Sequence, residues 1–302
     1  MPIRAFKMPE LSAWGVVFTA ILVEMSQKLR NFMGLNGKIE NLYAMTESND
    51  RLIFVSNDDG YNAAGIRHLI DVACEYGYVI AVAPATHQSG KSSSITMDTP
   101  LRARIEEETD RYKIISVDGT PADCAKLALN RLLPRRPDLL LSGINHGYNS
   151  GINVIYSGTM GVVFEGCFQG IDSIGFSYGD YRPKIDFSPC DEVMRRTIEY
   201  VLEHHLPAGV GLNVNIPVPE EGAVKGIKIT RASSGRWAEE YDERTDPFGR
   251  KYYWLTGYLE NKDADNAETD MYWLDRGYAS ITPCSPDQSN LQVIDLLRKE
   301  FQ

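Results

Sequence analysis

Leu52-Ile53-Phe54-Val55-Ser56-Asn57-Asp58-Asp59-Gly60 sets the reading of the whole chain. Leu52–Val55 is a continuous apolar run of the kind found in a strand covered on both faces. After it, Gly60–Gly65 is a turn cluster, and Ile66, Leu69, Ile70 and Ala73 recur at helical spacing until Gly77 stops them. Tyr78–Ala83 reads as a second buried strand, closed by Pro84, and Tyr112–Val117 and Asp138–Leu141 as further strands. Thr120-Pro121-Ala122-Asp123 opens a helix as a capping box: a Thr cap, Pro at the first helical position and Asp three residues beyond the cap. Thr159–Phe168 reads as the next helix. Strands alternating with helices at this spacing predict an α/β fold of βαβ units: a mainly parallel sheet with helices on both faces. The ligand crevice of such a sheet lies beyond the carboxyl ends of its strands.

Outward from this core the pattern changes. Beyond about residue 205 it loosens into Val210–Ile216, Lys225–Arg231, Tyr252–Tyr258 and Tyr278–Thr282, which look like strands joined by polar loops. Residues 237–278 hold ten of the thirty aromatic residues, which suits either a hairpin or interface element or the core of a β-rich subdomain. The expected organisation is an addition over 1–50 outside the fold and a domain over 51–302. That domain divides into an α/β core, 51–205, and a β-rich C-terminal region, 206–302, carrying a hairpin.

Composition bounds the function. With 43% hydrophobic and 24% charged residues the chain is an ordinary globular protein rather than a disordered or low-complexity one. Its net charge of −10 lacks the electrostatic footprint of a duplex-binding protein, so no nucleic-acid duplex is expected as partner. No apolar run reaches the roughly 18–20 residues that cross a bilayer, and no membrane partner is expected. The five cysteines, without a C-x-x-C, argue against a disulfide framework or a thiolate zinc site and fit a reducing, cytoplasmic setting. Before the core, Met45 stands seven residues ahead of Leu52, and residues 1–44 are expected to lie outside the working protein. The rival readings of Ala13–Val23 are an amphipathic helix, with Leu11, Trp14, Phe18, Ile21, Leu22, Met25 and Leu29 near one face, and an export signal lacking a small-x-small cleavage site.

Four polar clusters each follow an apolar strand or open a helix. In Ser56–Gly60, neighbouring side chains on a strand point to opposite faces, so Asp58 and Asp59 can serve one site only from a turn past the strand end. Two close carboxylates repel unless one protonates or a cation lies between them, and hard oxygen ligands favour Mg²⁺ or Mn²⁺. A solvated loop with an Asx-turn is the alternative. In Gln88–Ser94, Gly90-Lys91-Ser92 is not a P-loop, because position 85 is Ala where that motif needs Gly. Its hydroxyls suit a neutral metal ligand, a phosphate contact or simply a polar loop. Ser142–Asn149 offers asparagine amides to a cation or to phosphate oxygens, though turn chemistry explains its Gly and Asn content equally well. His146 there reads as a surface histidine or a catalyst. Tyr156-Ser157-Gly158-Thr159 combines two hydroxyls with a helix N-terminus, the parts of an anion site; an N-cap alone needs one of those hydroxyls.

As an ordered set these stretches resemble the SurE family, the survival-protein-E 5′/3′-nucleotidases. The matching text is Val55–Gly60, Ala83-Pro84 to Ser89-Gly90, Gly119–Cys124, Ser142–Asn145, Val154–Thr159, Thr269-Asp270 and Gly277–Pro283. The resemblance spans roughly residues 52–300. It implies a Rossmann-like phosphatase, over a core at 51–205, with one divalent cation, Mg²⁺ or Mn²⁺, held by Asp58, Asp59, Ser89 and Asn145, and with phosphate contacts from Asn149, Ser157, Gly158 and Thr159. It further implies catalytic roles for Asp58 and Asn149, nucleoside monophosphates as substrates, and a homodimer or tetramer with exchanged C-terminal segments. One departure is present: relatives often carry acidic residues just before Val154-Ile155-Tyr156, where this chain has Gly151-Ile152-Asn153. The competing function is a nucleotide-binding module without turnover, which loss of a metal ligand would favour; all four ligand positions are filled.

Overall fold

A computed structural model describes residues 51–182 and 184–301. Expectations about residues 1–50 fall outside the described residues. The buried strand predicted first is β1, Leu52–Ser56, at the middle of a nine-stranded sheet. Around it stand β2 (Tyr78–Pro84), β3 (Ala103–Glu108), β4 (Tyr112–Val117), β5 (Leu139–His146), β6 (Ser173–Tyr178) and β7 (Gly211–Ile216). Further along the chain come β8 (Ile227–Ile229), four short strands described below, and β13 (Ala279–Cys284). The order across the sheet is β3-β4-β2-β1-β5-β6-β7-β13-β8. From β4 to β7 every pairing is parallel; β3 and β13 run antiparallel to β4 and β7.

Helices cover both faces, as the two-sided burial of β1 requires. Ile53 and Val55 of β1 join a core with Ile66, Leu69 and Ile70 of α1 (Ala64–Ala73) and with Val193, Met194, Ile198 and Val201 of α4 (Asp191–His204). Leu52 and Phe54 face the opposite way, toward Cys124 and Ala125 of α2 (Pro121–Leu127) and Val162 of α3 (Gly158–Phe168). Period-two alternation along the strand thus divides one apolar run between two cores.

The capping box at Thr120–Asp123 is present as read from sequence: Asp123 N–H donates to Thr120 Oγ1 at 3.1 Å, and Thr120 N–H to Asp123 Oδ2 at 2.9 Å. Other readings shift. The strand placed at Asp138–Leu141 runs on to His146, so Asn145 belongs to β5 rather than to a following loop. The strand placed over Lys225–Arg231 shrinks to Ile227–Ile229. Strands β3 and β6, α4, and a C-terminal α6 (Leu291–Phe301) have no counterpart in the sequence reading.

The aromatic stretch leaves the sheet. Strands β9 (Gly235–Ala238) and β12 (Tyr258–Asn261) pair antiparallel, and beyond them β10 (Tyr241–Thr245) pairs with β11 (Lys251–Leu255), making a two-stranded arm. The single strand expected over Tyr252–Tyr258 is therefore broken at Thr256 and Gly257. Gly257 has φ +91°, and a Cβ there would sit 2.4 Å from the Ala238 carbonyl oxygen, so the break needs glycine. Phe248, Trp254, Leu255 and Tyr258 are exposed along the arm, which excludes its being a subdomain core. A short α5 (Asp270–Leu274) then leads into β13.

Candidate active site

The chain runs outward from β1 through β2 to β4, then returns to lay β5 on the other side of β1. The order reverses between β1 and β5, so the crevice at their carboxyl ends is the topological switch point where such sheets bind ligands. Both acidic residues of the quoted stretch stand there.

Beyond Ser56 the chain bends on Asn57, whose amide donates to the Gly60 carbonyl at 3.0 Å and whose oxygen accepts the Gly60 N–H at 3.2 Å. Gly60 has φ +102°, the region that favours glycine. The bend sets Asp58 and Asp59 side by side and buried. Asp58 Oδ1 accepts the Thr159 hydroxyl at 2.8 Å. His87 Nδ1 lies 3.2 Å from Asp59 Oδ1, while Asp59 Oδ2 is buried with no hydrogen-bond partner among the described residues. Burial first, and the neighbouring Asp59 charge second, push the Asp58 pKa up to about 6. A buried carboxylate oxygen without a partner costs free energy, and a hard cation shared by both carboxylates removes that cost. Among the described residues no three His, Cys, Asp or Glu side chains are arranged to hold a metal ion, so the remaining ligands would be neutral oxygens.

Asn145 and Ser89 are the expected neutral ligands. The Asn145 amide nitrogen donates to the Gly147 carbonyl at 2.9 Å, which leaves its side-chain oxygen without a partner among the described residues. Ser89 is exposed and makes no hydrogen bond to either carboxylate, but its loop is tied to them: the Gln88 N–H donates to the Asp58 carbonyl at 2.7 Å. The loop continues across two helix starts. Ser92 Oγ donates to the Ile155 carbonyl at 2.6 Å, Thr120 Oγ1 to the Ser94 carbonyl at 2.6 Å, and Thr96 Oγ1 to Asp123 Oδ2 at 2.6 Å. The capping box of α2 thus anchors the hydroxyl-rich loop as well as its own helix. Lys91 in this loop is exposed.

The turn before α3 meets the carboxylates directly. Ser157 caps the helix, its Oγ accepting the Met160 N–H at 3.1 Å. A Cβ on Gly158 would sit 2.8 Å from Asp58 Cβ and 2.9 Å from Pro121 Cγ, so glycine is what lets Asp58 and the start of α2 both pack against the start of α3. The dipole of α3 favours negative charge at that point. Of the four expected phosphate contacts, Gly158 and Thr159 therefore touch Asp58, Ser157 caps, and Asn149 lies beyond β5. The Asn149 amide donates to Ser177 Oγ at 2.9 Å, its N–H to Asn215 Oδ1 at 2.8 Å, and its carbonyl accepts the Asn213 amide at 2.8 Å. Sequence reading missed Ser177, Asn213 and Asn215, although Asn at alternate positions of the otherwise apolar Gly211–Ile216 was a visible signal. His146 packs against Phe187, ring centroids 5.7 Å apart, and makes no hydrogen bond to either carboxylate among the described residues.

Known proteins show the same frame. A profile of the Survival protein SurE family matches residues 53–239. The 5′-nucleotidase SurE of Christiangramia forsetii is 49% identical over 238 residues, 78% of this chain and 91% of that protein. That of Cytophaga hutchinsonii is 44% identical over 252 residues, covering 83% and 97%. The crystal structure of the SurE protein from Aquifex aeolicus superposes with a TM-score of 0.71 at 35% identity, over 83% of this chain and all of that one. With its profile spanning most of the sheet and its relatives aligned nearly end to end, this chain belongs to the SurE family.

Proposed function

We propose that the chain is a divalent-cation-dependent phosphomonoesterase that hydrolyses nucleoside 5′-monophosphates, and 3′-monophosphates in addition, to nucleoside and phosphate. The observation that carries this reading is the partnerless buried oxygen of Asp59 beside Asp58 at the switch point. The printed names of the two relatives, both 5′-nucleotidases, support the same activity.

Asp58, Asp59, Ser89 and Asn145 would hold one Mg²⁺ or Mn²⁺. When bound, such an ion offsets phosphoryl charge and lowers the pKa of a water ligand. The protein's own groups do the rest. Thr159 fixes Asp58 through its hydroxyl, leaving Asp58 Oδ2 against Gly158. Asp58 orients the attacking water and accepts its proton. The N–H groups of Gly158 and Thr159, with the dipole of α3, bind the non-bridging phosphate oxygens. Asn149, clamped by Ser177, Asn213 and Asn215, directs its remaining amide hydrogen at another phosphate oxygen. The exposed arm, β9 to β12, is assigned to assembly with a second copy of the chain, its aromatic face being the surface a homodimer or tetramer would bury. A cytoplasmic setting suits the five free cysteines.

Phosphate release over a panel of nucleoside monophosphates, with Mg²⁺ or Mn²⁺ and then with excess chelator, tests the reading. Turnover that stops on chelation is expected. Nucleotide binding without turnover would replace the enzyme by a binding module, and full activity in chelator would remove the cation.

A further inference from the structure

The turn that carries the phosphate contacts is held from a distant part of the chain. Asp270 is fully buried, and no cation pairs with it among the described residues. Instead it gathers four donors. The Gly151 N–H reaches Oδ2 at 2.7 Å; the Ser233 N–H, the Ser233 hydroxyl and the Met271 N–H reach Oδ1 at 2.9, 2.6 and 2.8 Å. A second link lies beside it. The indole N–H of Trp237, in the first strand of the arm, donates to Asn153 Oδ1 at 3.1 Å. Gly151 and Asn153 belong to one 3-10 turn, Gly151–Ile155, which begins two residues after Asn149 and ends two before Ser157. Gly151 has φ +57°, and a Cβ there would lie 3.0 Å from the Ser233 carbonyl, so the C-terminal segment closes tightly on this turn. On its other side the turn is held by Ser92, through the Ile155 and Tyr156 carbonyls.

We propose that Asp270 and Trp237 are positioning residues that lock the 149–157 turn from the base of the C-terminal arm, so that the seating of the arm sets how tightly the site grips a phosphate. The proposal rests on the phosphatase reading for its effect on turnover. Its mechanical part, the hold on the turn, stands on the hydrogen bonds alone. Asn153 acquires a role in this arrangement as the acceptor for the arm's indole. Assembly and catalysis are also connected, because a partner that shifts β9 shifts Trp237 and, through Asn153, the turn.

Four variants test it, with inorganic phosphate as the probe. Asp270→Asn keeps shape but puts an NH₂ group against either the Gly151 N–H or the Ser233 donors, so donor faces donor. Trp237→Phe keeps an aromatic ring and removes the N–H. Asn153→Leu removes the acceptor, and Asn153→Asp restores it. In the cation-loaded protein, Trp237→Phe and Asn153→Leu should each raise KM and the inhibition constant of inorganic phosphate about fivefold, the worth of one hydrogen bond, with kcat changed less. The double variant should be no worse than either single one. Asn153→Asp should stay within about twofold of wild type while Asn153→Leu, of similar size but without an acceptor, does not, a split that a merely steric role would not give. Asp270→Asn should cost about tenfold or more in kcat/KM, because misplacing the turn misaligns the substrate. Hydrogen exchange supplies a readout free of activity: amides of 151–157 should exchange faster in the variants while those of β1 and α1 do not. Unchanged exchange in the turn together with an unchanged phosphate constant in Trp237→Phe and Asn153→Leu overturns the proposal, whether or not Asp270→Asn folds. An inactive wild type would remove the nucleotidase reading and leave exchange to decide this one.

Discussion

The crevice at β1 and β5 and the arm from β9 to β12 are opposite solutions to placing polar and apolar groups. At the crevice, charged and hydroxyl groups are buried, and the bonds that hold several of them come from distant elements. Asp58 meets Thr159, a hundred residues away, and Asn149 meets β6 and β7. On the arm, aromatic rings stand in solvent, and the hydrogen bonds run mainly between its own two strands or between neighbours on them. The crevice is a destabilised region held by the fold around it: one carboxylate lifted to about pKa 6, one oxygen without a partner. The arm spends little free energy on its own geometry and exposes apolar area that another surface can bury. Function stored as strain needs a rigid frame; function stored as exposed area needs a partner.

The sharpest way to break the contrast is Asp58→Asn. It keeps the shape and removes a carboxylate proposed to hold the cation, and we expect a loss of at least about a hundredfold in kcat. The same variant should be more stable than wild type without cation. The folded-state pKa of Asp58 is raised, to about 6, so ionising it opposes folding. This destabilisation is absent below the unfolded value, grows as pH rises toward 6 and is complete above it. Thermal melts in cation-free buffer should therefore put Asp58→Asn a few degrees above wild type at pH 7 and level with it below about pH 4. Equal melting temperatures at pH 7 would show that the crevice is not strained.

Gly158→Ala removes no functional group, yet its Cβ collides with Asp58 and Pro121. Steady-state kinetics should show a loss on the order of ten- to a hundredfold, close to that of losing a cation-positioning contact, and a weaker cation requirement curve. Wild-type kinetics would mean the two helix starts have room to part.

Thr159→Ala sharpens the assignment of the turn. Had this hydroxyl served phosphate alone, cation affinity would be untouched. Because it donates to Asp58, titration of activity with Mn²⁺ should show affinity weakened about tenfold, with a smaller change in KM. Ser157→Ala, which removes only the cap, should leave the Mn²⁺ titration unchanged.

The smallest effect on chemistry is expected from the arm's tip. Replacing Tyr253 and Trp254, neighbours on β11 in the outer hairpin, by Glu puts charge on both of its exposed faces. Light scattering should then report a smaller assembly, with kcat/KM within about threefold of wild type, since the tip lies beyond the Trp237 contact. A monomeric wild-type protein would end the assignment of the arm to self-assembly.

Much of this was legible from sequence because it is local. Leu52–Val55 declares a two-sided strand by having no polar alternation, and Thr120–Asp123 declares a helix start because cap, proline and carboxylate act within four residues. The pair Asp58 and Asp59 announces itself because two adjacent charges after a buried strand need an explanation. Edge strand β3 was illegible: Ala103–Glu108 is almost wholly exposed and carries charge instead of an apolar period. The extension of β5 was hidden because Ser142-Gly143-Ile144-Asn145 breaks the apolar run, and the sheet register itself shifts between Ser142 and Asn145.

By itself, then, the sequence determined the parallel α/β core, the acidic turn at the end of its first strand and the polar set available to a cation and a phosphate. Apolar periodicity and capping are properties of neighbours along the chain. Only the tertiary structure decided that Thr159 belongs to Asp58, that Asn213 and Asn215 hold Asn149, and that Asp270 and Trp237 reach the turn before α3. Each of these is a hydrogen bond between groups more than sixty residues apart. Its existence depends on which strands the sheet places side by side, and no local rule of spacing carries that information.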